Sequence, residues 1–95
     1  MRALARDHPE ISRIVLFGSL AAGTPVPGSD ADLLIVLRSS ELPFLERLVR
    51  YRPVLPGLAV DVFVYTEAEL ERMRSEGNWV VNRALAEGLE LDLGR

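Results

Sequence analysis

Two short apolar runs and three amphipathic stretches organise the 95-residue chain. Ile14 to Phe17 is continuously apolar, the pattern of a strand covered on both faces. Asp32 to Leu37 repeats that pattern, and Leu58 to Tyr65 gives a third strand rich in β-branched and aromatic residues. Between them, Leu42, Leu45, Leu48 and Val49 fall on one stripe of a predicted helix from about Glu41 to Tyr51, capped by Ser39 or Ser40. Thr66-Glu67-Ala68-Glu69 reads as a capping box that opens a helix, and Gly77 stops it. Asn78 then begins a last helix through about Ala86, with Leu89 to Leu93 as a short edge strand. At the start, Met1 to Asp7 reads as a short helix ended by Pro9. Alternating strands and helices of these lengths predict a small α/β fold, a mixed β-sheet with helices packed on it. No repeat, low-complexity tract or linker interrupts the chain, so a single domain over 1–95 is expected.

The segments between these elements carry the chemistry. Gly18 to Gly23 reads as a turn with a brief helical piece at 20–22, and Thr24 to Ser29, with Pro25, Pro27 and Gly28, as an irregular loop. Gly18-Ser19 ends a strand where a helical turn begins. Such a place offers backbone N–H groups and a positive dipole end to a phosphate, although ordinary strand-to-helix turns use the same residues. Asp30 and Asp32 stand two residues apart at the entry to the second strand. Residues i and i+2 of a strand share a face, so the two carboxylates project together. Asp30 alone fits an Asx-turn. Asp32 and Asp61 are harder to place in that way, because each lies within a β-forming run where carboxylates are depleted. If the Asp61 strand pairs beside the second strand, three carboxylates converge at one sheet edge. Hard oxygen ligands of this kind suit Mg²⁺ together with substrate phosphates.

Composition narrows the function. Hydrophobic residues make up 48% and the formal net charge is −3, which argues against nucleic-acid or anionic-membrane binding through bulk charge. There are no cysteines, hence no disulfide and no thiolate metal site. All eleven cationic side chains are arginine, and without a lysine no Walker-type phosphate loop is possible. No apolar stretch approaches the roughly 20 residues of a membrane span. A cytoplasmic protein is the resulting expectation. Single His8, beside Pro9, reads as a solvated helix-end residue. The segment from Glu67 to Glu76 reads as a solvent-facing helix with intrahelical ion pairs. Trp79, Val80, Val81, Ala84 and Leu85 read mainly as packing onto the sheet, with some surface left for a partner.

Taken together, Gly18, Ser19, Gly23, Asp30, Asp32 and Asp61 resemble the signature of the minimal nucleotidyltransferases, small members of the polymerase-beta-like superfamily. Ser29-Asp30-Ala31-Asp32-Leu33 is similar to that signature in its flanking residues as well, and the likeness spans essentially the whole chain in length and element order. The resemblance implies a polymerase-beta-like core in which Asp30, Asp32 and Asp61 bind two Mg²⁺ ions. It further implies that Gly18 and Ser19, with Asp30 and Asp32, hold ATP or another nucleoside triphosphate, and that Asp61 orients an attacking hydroxyl. Many stand-alone relatives of this size resemble antitoxins that transfer AMP to a tyrosine of a HEPN-type ribonuclease toxin, which implies a HEPN-family partner. Members commonly carry arginines within the Gly-Ser loop; this chain has Leu20 and Ala22 there. Two readings follow: a Mg²⁺-dependent transferase acting on a partner protein, and a non-catalytic antitoxin that blocks its toxin by occlusion.

Overall fold

The computed structural model describes residues 2–17, 31–52 and 60–94. Within them the chain order is α1 (Arg2–Asp7), β1 (Ile11–Phe17), β2 (Ala31–Leu37), α2 (Phe44–Arg50), β3 (Val60–Thr66), α3 (Glu67–Ser75), α4 (Trp79–Glu87) and β4 (Leu89–Glu90). The four strands form one mixed sheet in the order β3-β2-β1-β4. β2 runs parallel to β3, while β1 is antiparallel to both β2 and β4. The expected α/β class is therefore the observed one.

β2 explains why its sequence is a continuous apolar run rather than an alternation. It is an interior strand, and Leu33, Leu34, Ile35, Val36 and Leu37 are all 0–1% exposed. Its odd positions, Leu33, Ile35 and Leu37, pack with Ile11, Ile14, Val62, Val64 and Tyr51, and Leu4 and Leu48 close that side from α1 and α2. Its even positions, Leu34 and Val36, pack with Val15, Phe17, Leu70, Val81 and Ala84 under α3 and α4. A strand buried on both faces cannot alternate polar with apolar side chains.

Helix boundaries follow local chemistry. α3 starts on the expected capping box: Thr66 Oγ1 accepts from the Glu69 N–H at 3.2 Å, and Glu69 Oε1 accepts from the Thr66 N–H at 2.8 Å. It ends in a Schellman turn, with Asn78 N–H donating to Met73 O and Gly77 N–H to Arg74 O. Gly77 takes φ +78°, which glycine adopts without penalty. Asn78 then caps α4, its Oδ1 accepting from the Val81 N–H at 3.0 Å.

Several boundaries differ from expectation. α2 begins at Phe44, not near Glu41, because Pro43 at its N-cap holds ψ 152° and restricts Leu42 to extended geometry. Ser40 accepts from the Leu42 N–H in a turn instead of capping the helix. β1 begins at Ile11, three residues early, and carries a register irregularity between Ile11 and Arg13. There the Ser12 hydroxyl donates to Val36 O at 3.2 Å, which substitutes for ladder pairing. β3 runs through Thr66, and its expected start at Leu58 lies outside the described residues. β4 shortens to two residues. No described helix is long and apolar enough to cross a membrane.

Candidate functional site

One end of the sheet holds two of the three acidic positions that the sequence singled out, Asp32 and Asp61. In the parallel pair, Asp32 of β2 and Asp61 of β3 are register partners. In the antiparallel pair, Phe17, the last residue of β1, stands opposite Asp32. Adjacent strands lie about 4.8 Å apart, and register partners present their side chains to the same face. Asp32 shares its face with Leu34 and Val36, and Asp61 shares its face with Phe63 and Tyr65. Both carboxylates therefore sit on the side covered by α3 and α4, at the end of the sheet where β2 and β3 begin. Asp32 is half-buried and Asp61 exposed.

Two like charges at about 5 Å repel by roughly 1–3 kcal/mol at the dielectric of a protein surface. Such a pair persists when solvent or a cation offsets it, and its oxygens are the hard donors that Mg²⁺ prefers. The donor chemistry thus fits a divalent cation bridging two strands. Next to the carboxylates on the same face, Phe17 and Phe63 pack with ring centroids 5.8 Å apart. These two rings form an apolar floor that sequence reasoning missed. The signal was present in the alternation that puts Phe63 two residues after Asp61.

The remaining proposed residues, Gly18, Ser19, Gly23 and Asp30, lie outside the described residues, as do Leu20 and Ala22. The chain leaves the described part at Phe17 and re-enters at Ala31, both at the Asp32 end of the sheet. Among the described residues, no group of three or more His, Cys, Asp or Glu side chains is placed to hold a metal ion. The three-carboxylate arrangement needs Asp30 to complete it.

Titratable groups elsewhere belong to the scaffold. His8 is half-buried, not solvated, because its ring packs edge-on against Tyr51 at 4.8 Å. The Tyr51 hydroxyl donates to Glu10 Oε2 at 2.5 Å, holding the Glu10 carboxyl below its usual range. Burial, followed by the facing Glu10 carboxylate, pushes Tyr51 up. At the far end of β3, Arg47 is buried and donates to Leu42 O at 2.9 Å and to Glu69 Oε1 at 2.6 Å. That contact lowers the Glu69 pKa. The helix expected to face solvent throughout is thus tied to α2 through Glu69, and only Glu71–Arg74 fits the simple intrahelical pairing. On α4, Val81 and Ala84 are buried and Val80 and Leu85 half-buried, as expected for packing. Trp79 stays 69% exposed, with Arg83 over its ring at 5.2 Å.

The model of the nucleotidyltransferase domain family matches residues 1–93. Among solved structures, the chain is similar to a crystal structure of a candidate nucleotidyltransferase from Sulfolobus solfataricus. That similarity has a TM-score of 0.62 at 23% identity and covers 93% of this chain and 68% of the other. At that identity the likeness speaks for the fold. No curated protein sequence gives a significant match.

Proposed function

This chain belongs to the nucleotidyltransferase domain family, and on that premise we propose that it is a Mg²⁺-dependent transferase moving AMP from ATP onto a protein hydroxyl. The family generally takes a nucleoside triphosphate with a divalent metal. The acceptor we propose is a tyrosine on a HEPN-type toxin, with the chain acting in the cytoplasm as the minimal domain of an antitoxin. The observation that carries the reading is the in-register pairing of Asp32 with Asp61 on adjacent parallel strands. It brings two of three motif carboxylates to one sheet end, beside the strand that leads into Gly18 and Ser19.

In this mechanism Asp30, Asp32 and Asp61 would hold two Mg²⁺ ions, which when bound neutralise charge on the attacking and departing oxygens. Gly18 and Ser19, which lie outside the described residues, would hold the triphosphate, the serine through its hydroxyl. Asp61, the most exposed described carboxylate of the set, orients the acceptor hydroxyl and takes up its proton. The Phe17–Phe63 ring pair lies on the same face of the sheet, next to the carboxylates. The acceptor oxygen attacks the α-phosphorus, the bond to the bridging oxygen breaks, and pyrophosphate leaves.

Incubation with Mg²⁺, labelled ATP and a HEPN-type partner tests this. Label should reach the partner with wild type and fall by about 100-fold or more with Asp32→Asn or Asp61→Asn, circular dichroism being unchanged. Undiminished labelling by Asp32→Asn would overturn it. Leu20 and Ala22, where members commonly have arginine, favour the second reading, an antitoxin that occludes its toxin without chemistry. In that case Asp32→Asn and wild type silence the toxin equally and neither transfers label.

A further inference from the structure

α2 carries an apolar stripe that the described chain does not cover. Leu45 is 74% exposed and Val49 80% exposed, one helical turn apart on the same side. With Leu42 they line an open groove whose other walls, among the described residues, are Glu46 and Arg50. The pattern inverts what an amphipathic helix of a lone domain does: α2 buries Arg47 and leaves two large aliphatic side chains in water. Exposed apolar positions that adjoin one another mark a contact surface more often than chance.

The charges beside the stripe say what fits it. Glu46 and Arg50 stand four residues apart, flanking the aliphatic pair on one side. Among the described residues Glu46 makes no ion pair, although Arg50 is within intrahelical reach. When two such helices cross antiparallel about a twofold axis near residues 47 and 48, Leu45 of each meets Val49 of the other. The same operation sets each Glu46 against the opposite Arg50, so the pair forms twice. A surface complementary to its own twofold copy is the requirement for an isologous dimer. We infer that this face is the contact between two copies of this chain, an α2–α2 antiparallel pair closed by two reciprocal Glu46–Arg50 ion pairs.

Seven residues make a helix about 10 Å long, so this contact lies below the roughly 1,200 Å² of a stable standard interface. The association is accordingly weak and concentration-dependent, at micromolar Kd or above. The inference is independent of the catalytic reading, because it uses no residue of the Asp32–Asp61 site.

Sedimentation velocity across a concentration series reads it directly. Wild type should move from monomer toward dimer as concentration rises to about 1 mM. Leu45→Asp and Val49→Asp, both at exposed positions, should remain monomeric with unchanged circular dichroism. Glu46→Arg and Arg50→Glu should each remain monomeric alone and recover dimer when mixed in equal amounts, since the mixture restores both opposite-charge contacts. Arg50 also lies near Glu10 and Tyr51, so the aspartate variants carry the test if Arg50→Glu loses its fold. A wild type that stays monomeric throughout overturns the inference. So does a dimer that survives Leu45→Asp, a mixture that fails to recover, or a Leu45→Asp that unfolds, since the stripe is then covered by its own chain.

Discussion

At the scale of single residues, a carboxylate in a strand means something only when its partner is known. Alternation along the chain tells that Asp32 and Asp61 depart from the apolar pattern of their runs, and this is legible without coordinates. That they are register partners is not, because register depends on how β2 and β3 slide past each other. His8 shows the converse: nothing local announces the Tyr51 ring that half-buries it. The juxtaposition of Asp32 and Asp61 has a consequence for stability. With Mg²⁺ chelated, Asp61→Asn removes a like-charge repulsion at an exposed position, a gain of about 1 kcal/mol or less. For a domain of this size the melting temperature should rise by a few degrees, roughly 2–6 °C. Added Mg²⁺ should stabilise wild type and leave Asp61→Asn nearly unmoved, by differential scanning calorimetry in EDTA and in millimolar Mg²⁺. A fall in melting temperature in EDTA would mean that the Asp61 carboxylate is a structural acceptor instead.

At the scale of elements, local signals place helix ends well where the needed atoms are close in sequence. The Thr66–Glu69 box and the Gly77 stop are of this kind. The start of α2 is not, since Pro43 wins over the serines before it. Gly88 is another case beyond local reading: a Cβ there would meet Val15 Cγ1 and Ala84 O, each at 2.4 Å. Its need for glycine comes from Val15, on a strand far away in the chain, as much as from the last turn of α4. The link between elements at the far end of β3 makes a pH-dependent prediction. Arg47 is buried and depends on Glu69 for its charge partner. Glu69→Gln leaves that guanidinium with Leu42 O and a neutral amide, a loss of about 1–3 kcal/mol at pH 7 given that Glu69 itself is a third exposed. Because Arg47 holds the Glu69 pKa below its ordinary 4.5, the stabilisation is present above pH 4.5 and is lost as pH falls through the lowered value. Urea titrations of wild type and Glu69→Gln should therefore converge as pH falls below 4.5 and through the lowered Glu69 pKa. Glu10 shifts in the same direction but is common to both proteins, so it cancels in the difference. A gap that does not narrow at all as pH falls into the acid range would assign the loss to the Thr66 cap rather than to the ion pair.

For the whole molecule, one strand supports everything else. β2 touches both faces of the core, pairs with β1 and β3, and carries Asp32 at one end. Its apolar run makes the strand legible in the sequence, and with it the layered class of the fold. The order β3-β2-β1-β4 is not legible, because an antiparallel and a parallel neighbour present the same run of side chains. Ile35 lies in the middle of this strand and is fully buried beneath α1 and α2. Ile35→Ala removes buried methyl and methylene groups where the neighbours, held by a ladder on each side, collapse little. The loss should be about 3–4 kcal/mol, against the roughly 5–14 kcal/mol available to a domain of this size. Urea unfolding should show a much lower midpoint with an unchanged slope, since the same surface is exposed on unfolding. The two faces share this strand, so the core should unfold as a unit, and fluorescence from Trp79, the first residue of α4, should report the same midpoint as circular dichroism. Separate midpoints for the two probes would mean that the α3–α4 layer can come off a sheet that stays paired.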